Sequence, residues 1–137
     1  MGFLDFFEGA FGKKPVSGPY IFNLKYSLHP MRLTAHKKDH AILDVWVTNT
    51  ADEEFLTSVV AVLPKDLGFE QLGLQQQHES RLGLLKPGEE RHVRIEVWST
   101  QKTPPGLYPL KIFAISHYRD YAHILNEVKR SLEVRVV

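Results

Sequence analysis

Short stretches in which apolar and polar residues alternate, separated by clusters of turn residues, recur along this chain and constrain its fold more than any other feature. In AILDVWVTN, Leu43, Val45 and Val47 fall on one side and Asp44, Trp46 and Thr48 on the other. RHVRIEVWS repeats the pattern with Val93, Ile95 and Val97, and LYPLKIFAIS repeats it with Tyr108, Leu110, Ile112 and Ala114. YIFNLKYSL places Tyr20, Phe22, Leu24, Tyr26 and Leu28 on one face; VKRSLEVRVV does the same with Val128, Leu132, Val134 and Val136. A period of two sends alternate side chains to opposite faces of a pleated backbone, so each stretch predicts a half-buried β-strand. FLTSVVAVLP is apolar on both faces, as a central strand is, and Pro64 ends it.

The punctuation between these stretches is equally clear. TADEE, KPGEE and TQKTPPG are turn clusters, with Pro87 and Gly88 in turn-favoured positions. HPMRLTAHKKDH predicts a polar connection broken by Met31 and Leu33, and HYRDYAHILNE predicts a loop. KDLGFEQLGLQQQHESRLGLL predicts one or two short edge strands. About seven strands at regular spacing, with no helix between them, predict an all-β fold, an antiparallel β-sandwich over residues 16–137. A chain of 137 residues is long enough to form one such domain without staples.

The order of DVWVTNTADEE, VVAVLP, LLKPGEERHVRIEVWS and PPGLYPLKIFA resembles the immunoglobulin-like domains of the CARDB type (cell-adhesion-related domain in bacteria). It is also similar to related Ig-like modules appended to prokaryotic surface proteins and glycosidases. The resemblance covers roughly residues 20 to 137 and implies an Ig-like sandwich of about seven strands. Its motifs are turn and core motifs, so it implies no catalytic residue and no cofactor. In that topology Tyr108, just after the Pro105–Gly106 corner, stands where a tyrosine corner or a plain core tyrosine belongs.

The chemistry-bearing residues form no recognised catalytic constellation. The chain has no cysteine, which removes disulfides, thiolate metal sites and cysteine nucleophiles together. Among its seven histidines, His36 and His40 flank Asp39, and His117 and His123 flank Asp120; neither group has ligand spacing on a defined face, so no metal is expected. There is no G-x-S-x-G elbow and no Gly-rich phosphate loop before a helix. Asp52, Glu53, Glu54, Glu89 and Glu90 sit in turns and read as solvated charge. The expectation is a protein that is not an enzyme and takes no cofactor. A net charge of +1 without a long basic run gives no expectation of nucleic-acid binding.

What remains is surface. In the Ig arrangement the loops NTADEE, LKPGEER and HYRDYAH gather at one end. The last offers Tyr118, Arg119 and Tyr121, residue types that anchor interfaces because they combine contact area with hydrogen bonds. The competing reading has a tyrosine folding back onto the sandwich rim. Trp46 and Trp98 face away from the core, and a register opposing Asp44 to Arg94 places them at opposite ends of one face. Separated rings make a poor sugar platform, so carbohydrate or peptide binding there is the weaker alternative.

The opening residues MGFLDFFEGAFGKKP follow another period. At about 100° per residue, Phe3, Leu4, Phe6, Phe7, Ala10 and Phe11 fall within an arc of roughly 160°. Residues 1–15 therefore predict a short amphipathic helix and linker ahead of the sandwich, ended by Gly12 and Pro15. Asp5 and Glu8 break the apolar run that a secretory signal needs, and Phe6 stands where myristoylation wants Ser or Thr, so the expected location is cytoplasmic. A helix this short is marginal alone and must dock. Three docks compete: its own sandwich at Ile42, Trp46 and Trp98; a protein partner or second copy; or a membrane interface. The expected function is a protein-interaction or assembly module using Phe3, Leu4, Phe7 and Phe11, or Tyr118, Arg119 and Tyr121, or both sets. A peripheral membrane scaffold anchored by residues 1–12 is the rival.

Overall fold

The computed structural model describes residues 21–137, and the predicted N-terminal helix lies outside them. The described chain is all-β. Its strands are β1 (Phe22–His29), β2 (Arg32–Leu33), β3 (Asp39–Asn49), β4 (Phe55–Val62), β5 (Gln77–Leu85), β6 (Glu90–Ser99), β7 (Gly106–His117) and β8 (Ile124–Val136). They form two sheets, ordered β1-β3-β6 and β2-β8-β7-β4-β5. All pairings are antiparallel except β2 with β8. This is the two-sheet arrangement expected of an Ig-like sandwich. Among the described residues no helix is long and apolar enough to cross a membrane.

The alternating residues pack between the sheets. Leu43, Val45 and Val47 of β3 and Val93, Ile95 and Val97 of β6 meet Val59, Ala61, Leu110, Ile112, Ala114 and Val128 of the facing sheet. Each large apolar side chain so buried stabilises the fold by about 1.5–3 kcal/mol. β4 is apolar on both faces because it lies between β5 and β7 and packs on both sides. Its outer residues Val60 and Val62 join Phe113 and Ile115 in a second apolar cluster on the far side of the sheet. Tyr26 and Leu28 depart from the one-face expectation for β1: Tyr26 is exposed and Leu28 only partly buried, toward the end of an edge strand.

Three further differences have local causes. Leu33 is buried in a two-residue strand too short to show any period, which raises the strand count to eight. The stretch after Pro64 holds one edge strand, β5, and a loop whose Leu67 and Phe69 turn into the core. β8 starts at Ile124, so the HYRDYAH turn is tighter than predicted: Tyr118 N donates to His123 O at 2.8 Å.

Two polar anchors fix the ends. Tyr108 Oη donates to Pro104 O at 2.6 Å, which makes it a corner tyrosine at the start of β7. Asn49, buried at the end of β3, donates through Nδ2 to Leu85 O at 2.8 Å and Glu53 O at 3.0 Å, and its Oδ1 accepts from Ala51 N at 2.8 Å. Its backbone bonds to Gly88 and Glu89 of the β5–β6 turn. An alanine at position 49 leaves the Leu85 and Glu53 carbonyls without that donor. Asn49→Ala is expected to cost about 2–3 kcal/mol, against about 1 kcal/mol for Tyr108→Phe. Urea unfolding of both variants checks the order; an Asn49→Ala cost no larger than a surface change contradicts it.

Candidate functional site

The strand directions bring the end of β3, the start of β4, the end of β5 and the β7–β8 turn to one end of the sandwich. Asn49 ties NTADEE to the KPGEE turn, and the third loop joins them through Tyr121. Tyr121 Oη accepts from Gly83 N at 3.0 Å, the Arg81 guanidinium lies 4.6 Å from its ring centroid, and His117 meets the ring edge-on at 5.0 Å. Gly83 has φ +76°, and the β4–β5 register shifts between Thr57 and Ser58, opposite Gly83 and Arg81. The irregularity turns an amide toward the tyrosine instead of a neighbouring strand. Tyr121 thus folds back onto the rim and braces the loop.

Tyr118 and Arg119 do the opposite. Arg119 adopts φ +68°, and Tyr118 is 51% exposed with the Arg119 guanidinium 5.0 Å from its ring centroid. The turn beneath them is closed by Asp120, whose carboxylate bonds Ala122 N and His123 Nδ1. The His123 bond, foremost, holds the Asp120 carboxyl below its ordinary range. Tyr118 and Arg119 form one wall of a groove of about 430 Å³. Phe55, Leu56, Leu84 and Leu125 supply its apolar floor and sides, and Glu53 and Glu54 its acidic rim. Leu84 and Leu125 are 56% and 47% exposed. These two leucines were not among the residues the sequence singled out; their exposure follows only from where β5 and β8 begin and end.

His117 sits at the back of the groove, buried, with Nε2 2.7 Å from Ser58 Oγ. Ser58 is fully buried, so the pair is a structural bond at the sheet's outer face. Burial pushes the His117 pKa below its ordinary value, with nearby Glu79 pulling the other way.

The remaining predicted residues lie elsewhere. Asp44 opposes Arg94 as the register argument requires, with their side chains 3.5 Å apart, while His92 Nε2 takes a shorter 2.7 Å contact to the same carboxylate oxygen. Trp46 and Trp98 are at opposite ends of the outer face of the three-stranded sheet. Neither is openly exposed: Trp46 stacks on His92 at 5.0 Å and Trp98 on His40 at 4.6 Å. Their cover is cross-strand histidine. His36, Asp39 and His40 do not converge on a common point, because Asp39 bonds Thr34 N and His40 N. Among the described residues no group of three or more His, Cys, Asp or Glu is placed to hold a metal ion. Phe3, Leu4, Phe7 and Phe11 lie outside the described residues.

Comparison with known proteins adds to the fold. No family model matches the chain, and no curated protein matches it. Solved structures do. A Salmonella alpha-2-macroglobulin mutant matches with TM-score 0.59 and 16% identity over 85% of this chain and 7% of that one. A FixG-related protein from Vibrio parahaemolyticus matches with TM-score 0.55 and 7% identity over 86% of this chain and 98% of that one. The sporulation control protein Spo0M from Bacillus subtilis matches with TM-score 0.50 and 10% identity over 86% and 50%. At these identities the likeness is one of fold. The chain spans a small fraction of the macroglobulin and half of Spo0M.

The histidine carries a pH dependence of defined sign. A base whose folded pKa lies below its ordinary value takes up its proton first in the unfolded chain, so stability is lost as pH falls. His78, also depressed by burial, adds in the same direction. Glu127, raised by burial, acts oppositely, stabilising the fold as pH falls toward its ordinary 4.5. Stability to urea is expected to fall as pH drops below about 6.5, the ordinary histidine value, with a shallower fall in His117→Gln. Equal slopes in the two proteins contradict the assignment.

Proposed function

We propose that this protein is a non-enzymatic interaction module whose contact surface is the loop-end groove, and that its occupant is a segment of a partner protein carrying an apolar anchor next to a basic residue. One observation carries the reading: Leu84, Leu125 and Tyr118 stand exposed around a single groove whose rim is acidic at Glu53 and Glu54. An exposed apolar patch with a polar rim is the usual mark of a recognition surface. Tyr118 and Arg119 supply the contact types that most often anchor such surfaces, on a turn already stiffened by Asp120 and Tyr121. Glu53 and Glu54 favour a Lys or Arg on the incoming segment. The resemblance of the turn motifs to CARDB-type Ig-like modules fits a binding role. Phe3, Leu4, Phe7 and Phe11 form a second contact of the same module, and the site of action is cytoplasmic.

A displayed library of random peptides, selected on the immobilised full chain, tests this. The enriched sequences should pair an aromatic or aliphatic residue with Lys or Arg. Affinity for a selected peptide should fall roughly tenfold or more in Leu84→Asp and in Leu125→Asp, as truncation of an interface anchor does. Both positions are exposed, so the variants should melt like the parent. Peptides that bind the two variants and the parent equally would overturn the assignment. A concentration-dependent dimer abolished by the same changes would make a second copy the occupant instead.

A further inference from the structure

The opposite end of the sandwich has different chemistry. There the 34–38, 63–76 and 100–105 connections pack on one another. Thr103 Oγ1 donates to Asp66 O at 2.7 Å, His36 N donates to Thr103 O at 2.9 Å, and Ser99 Oγ donates to Lys37 O at 2.9 Å. The longest of the three is braced along its length. Leu67 and Phe69 are buried in the core, and between them Gly68 exchanges both backbone hydrogen bonds with Trp98. A Cβ on Gly68 would stand 2.5 Å from the Gly73 Cα, so the two limbs of the loop touch backbone to backbone.

The tip of this loop is held just as firmly. The Glu70 carboxylate accepts from the amides of Leu72, Leu74 and Gln75, and those bonds keep its pKa below the ordinary value. Gln76 Nε2 donates to Leu67 O at 2.9 Å and Gly73 O at 2.8 Å. A backbone so fixed holds Leu72 and Leu74 outward, 69% and 72% exposed. Met31, in the β1–β2 connection at the same end, is 79% exposed. Lys65 and Lys102 line the same groove as the two leucines, about 390 Å³ in volume, and Lys37 and Lys38 lie on the adjoining 34–38 connection. Of the carboxylates at this end, Glu70 and Asp39 are engaged by backbone amides and Asp66 lines the groove.

Single exposed leucines are ordinary on a protein surface. Two on a loop braced by its own polar groups, sharing a groove with Lys65 and Lys102, are a different arrangement. They combine the two weak signals that together bind a protein reversibly to a bilayer: apolar insertion at the headgroup boundary and attraction to anionic lipid. We propose that this end of the sandwich docks on an anionic phospholipid surface. Leu72 and Leu74 enter the headgroup–acyl boundary, and Lys65, Lys102, Lys37 and Lys38 lie at the level of the phosphates. A nucleic acid would satisfy the lysines but offers no apolar layer to the leucines. The orientation leaves the groove at Glu53 and Glu54 pointing away from the membrane. This site uses none of residues 1–12 and none of the groove residues, so its failure leaves the groove assignment untouched.

The test is co-sedimentation of the full chain with phosphatidylcholine vesicles, with and without phosphatidylserine. The protein should pellet only with the anionic vesicles, and less as salt rises. A roughly tenfold loss is expected in Leu72→Ser/Leu74→Ser and in Lys65→Glu/Lys102→Glu. Melting curves like the parent's separate that loss from unfolding. Two results would overturn the proposal. One is no binding to anionic vesicles at low salt. The other is parental binding by both loop variants, with Phe7→Asp alone abolishing it, which would transfer the contact to the N-terminal segment.

Discussion

The buried amide of Asn49 is the interaction on which the geometry of the loop end depends. The side chain sits at the end of β3 in the three-stranded sheet, yet its Nδ2 bonds Leu85 O at the end of β5 in the five-stranded sheet. The same nitrogen holds Glu53 O, and Oδ1 holds Ala51 N, so the turn that presents the acidic rim is shaped by one residue. Its backbone carbonyl accepts from Gly88 N at 2.7 Å, and its amide donates to Glu89 O at 3.0 Å. Only an amide side chain can donate twice and accept once at that spot. A carboxylate lacks the donors and a leucine lacks both functions. Packing holds the sheets face to face, but packing is tolerant; a hydrogen-bonded corner sets where the loops begin.

The two ends share a design: a polar side chain consumed locally so that apolar ones can face outward. Asp120 closes the turn under Tyr118 and Arg119, and Glu70 closes the loop under Leu72 and Leu74. Both carboxylates are held below their ordinary pKa by the bonds they accept. The loops differ in the charge around them, acidic at Glu53 and Glu54 and basic at Lys65 and Lys102. A near-neutral total of +1 conceals that separation, because composition averages over the surface. The proposed roles follow from it. The acidic-rimmed groove suits a basic segment of a protein, and the leucines that share a groove with Lys65 and Lys102 suit an anionic lipid face.

Much of this was legible in the sequence where one physical rule governed the residues. β3 and β6 announced themselves because one face of each is buried, and period two records that directly. The Asp44–Arg94 register followed from charge across antiparallel neighbours, whereas the place of Tyr108 beside Gly106 left a corner or a plain core tyrosine open until its bond to Pro104 O decided for the corner. β5 was hard to read because it is an edge strand whose exposed and half-buried residues alternate only as far as the register shift, with none fully buried before Leu85. That same irregularity decides the fates of the two loop tyrosines. Nothing in HYRDYAH says that Tyr121 will find the Gly83 amide while Tyr118 stays out; the partner is tens of residues away. Leu84, Leu125, Leu72 and Leu74 look like core residues in sequence; the ends of β5 and β8 leave the first two outside, and the braced 63–76 loop the other two.

The central claim is that Asn49 holds the loop end in a fixed shape before any partner arrives. Amide hydrogen exchange of the free protein measures this at Gly88 and Ala51, whose N–H groups bond Asn49 O and Oδ1. Both lie in turns that would otherwise exchange near the solvent rate. The account predicts protection at these two amides comparable to that of Val45 and Ile95 in the core strands. Exchange as fast as in an unstructured peptide would contradict it.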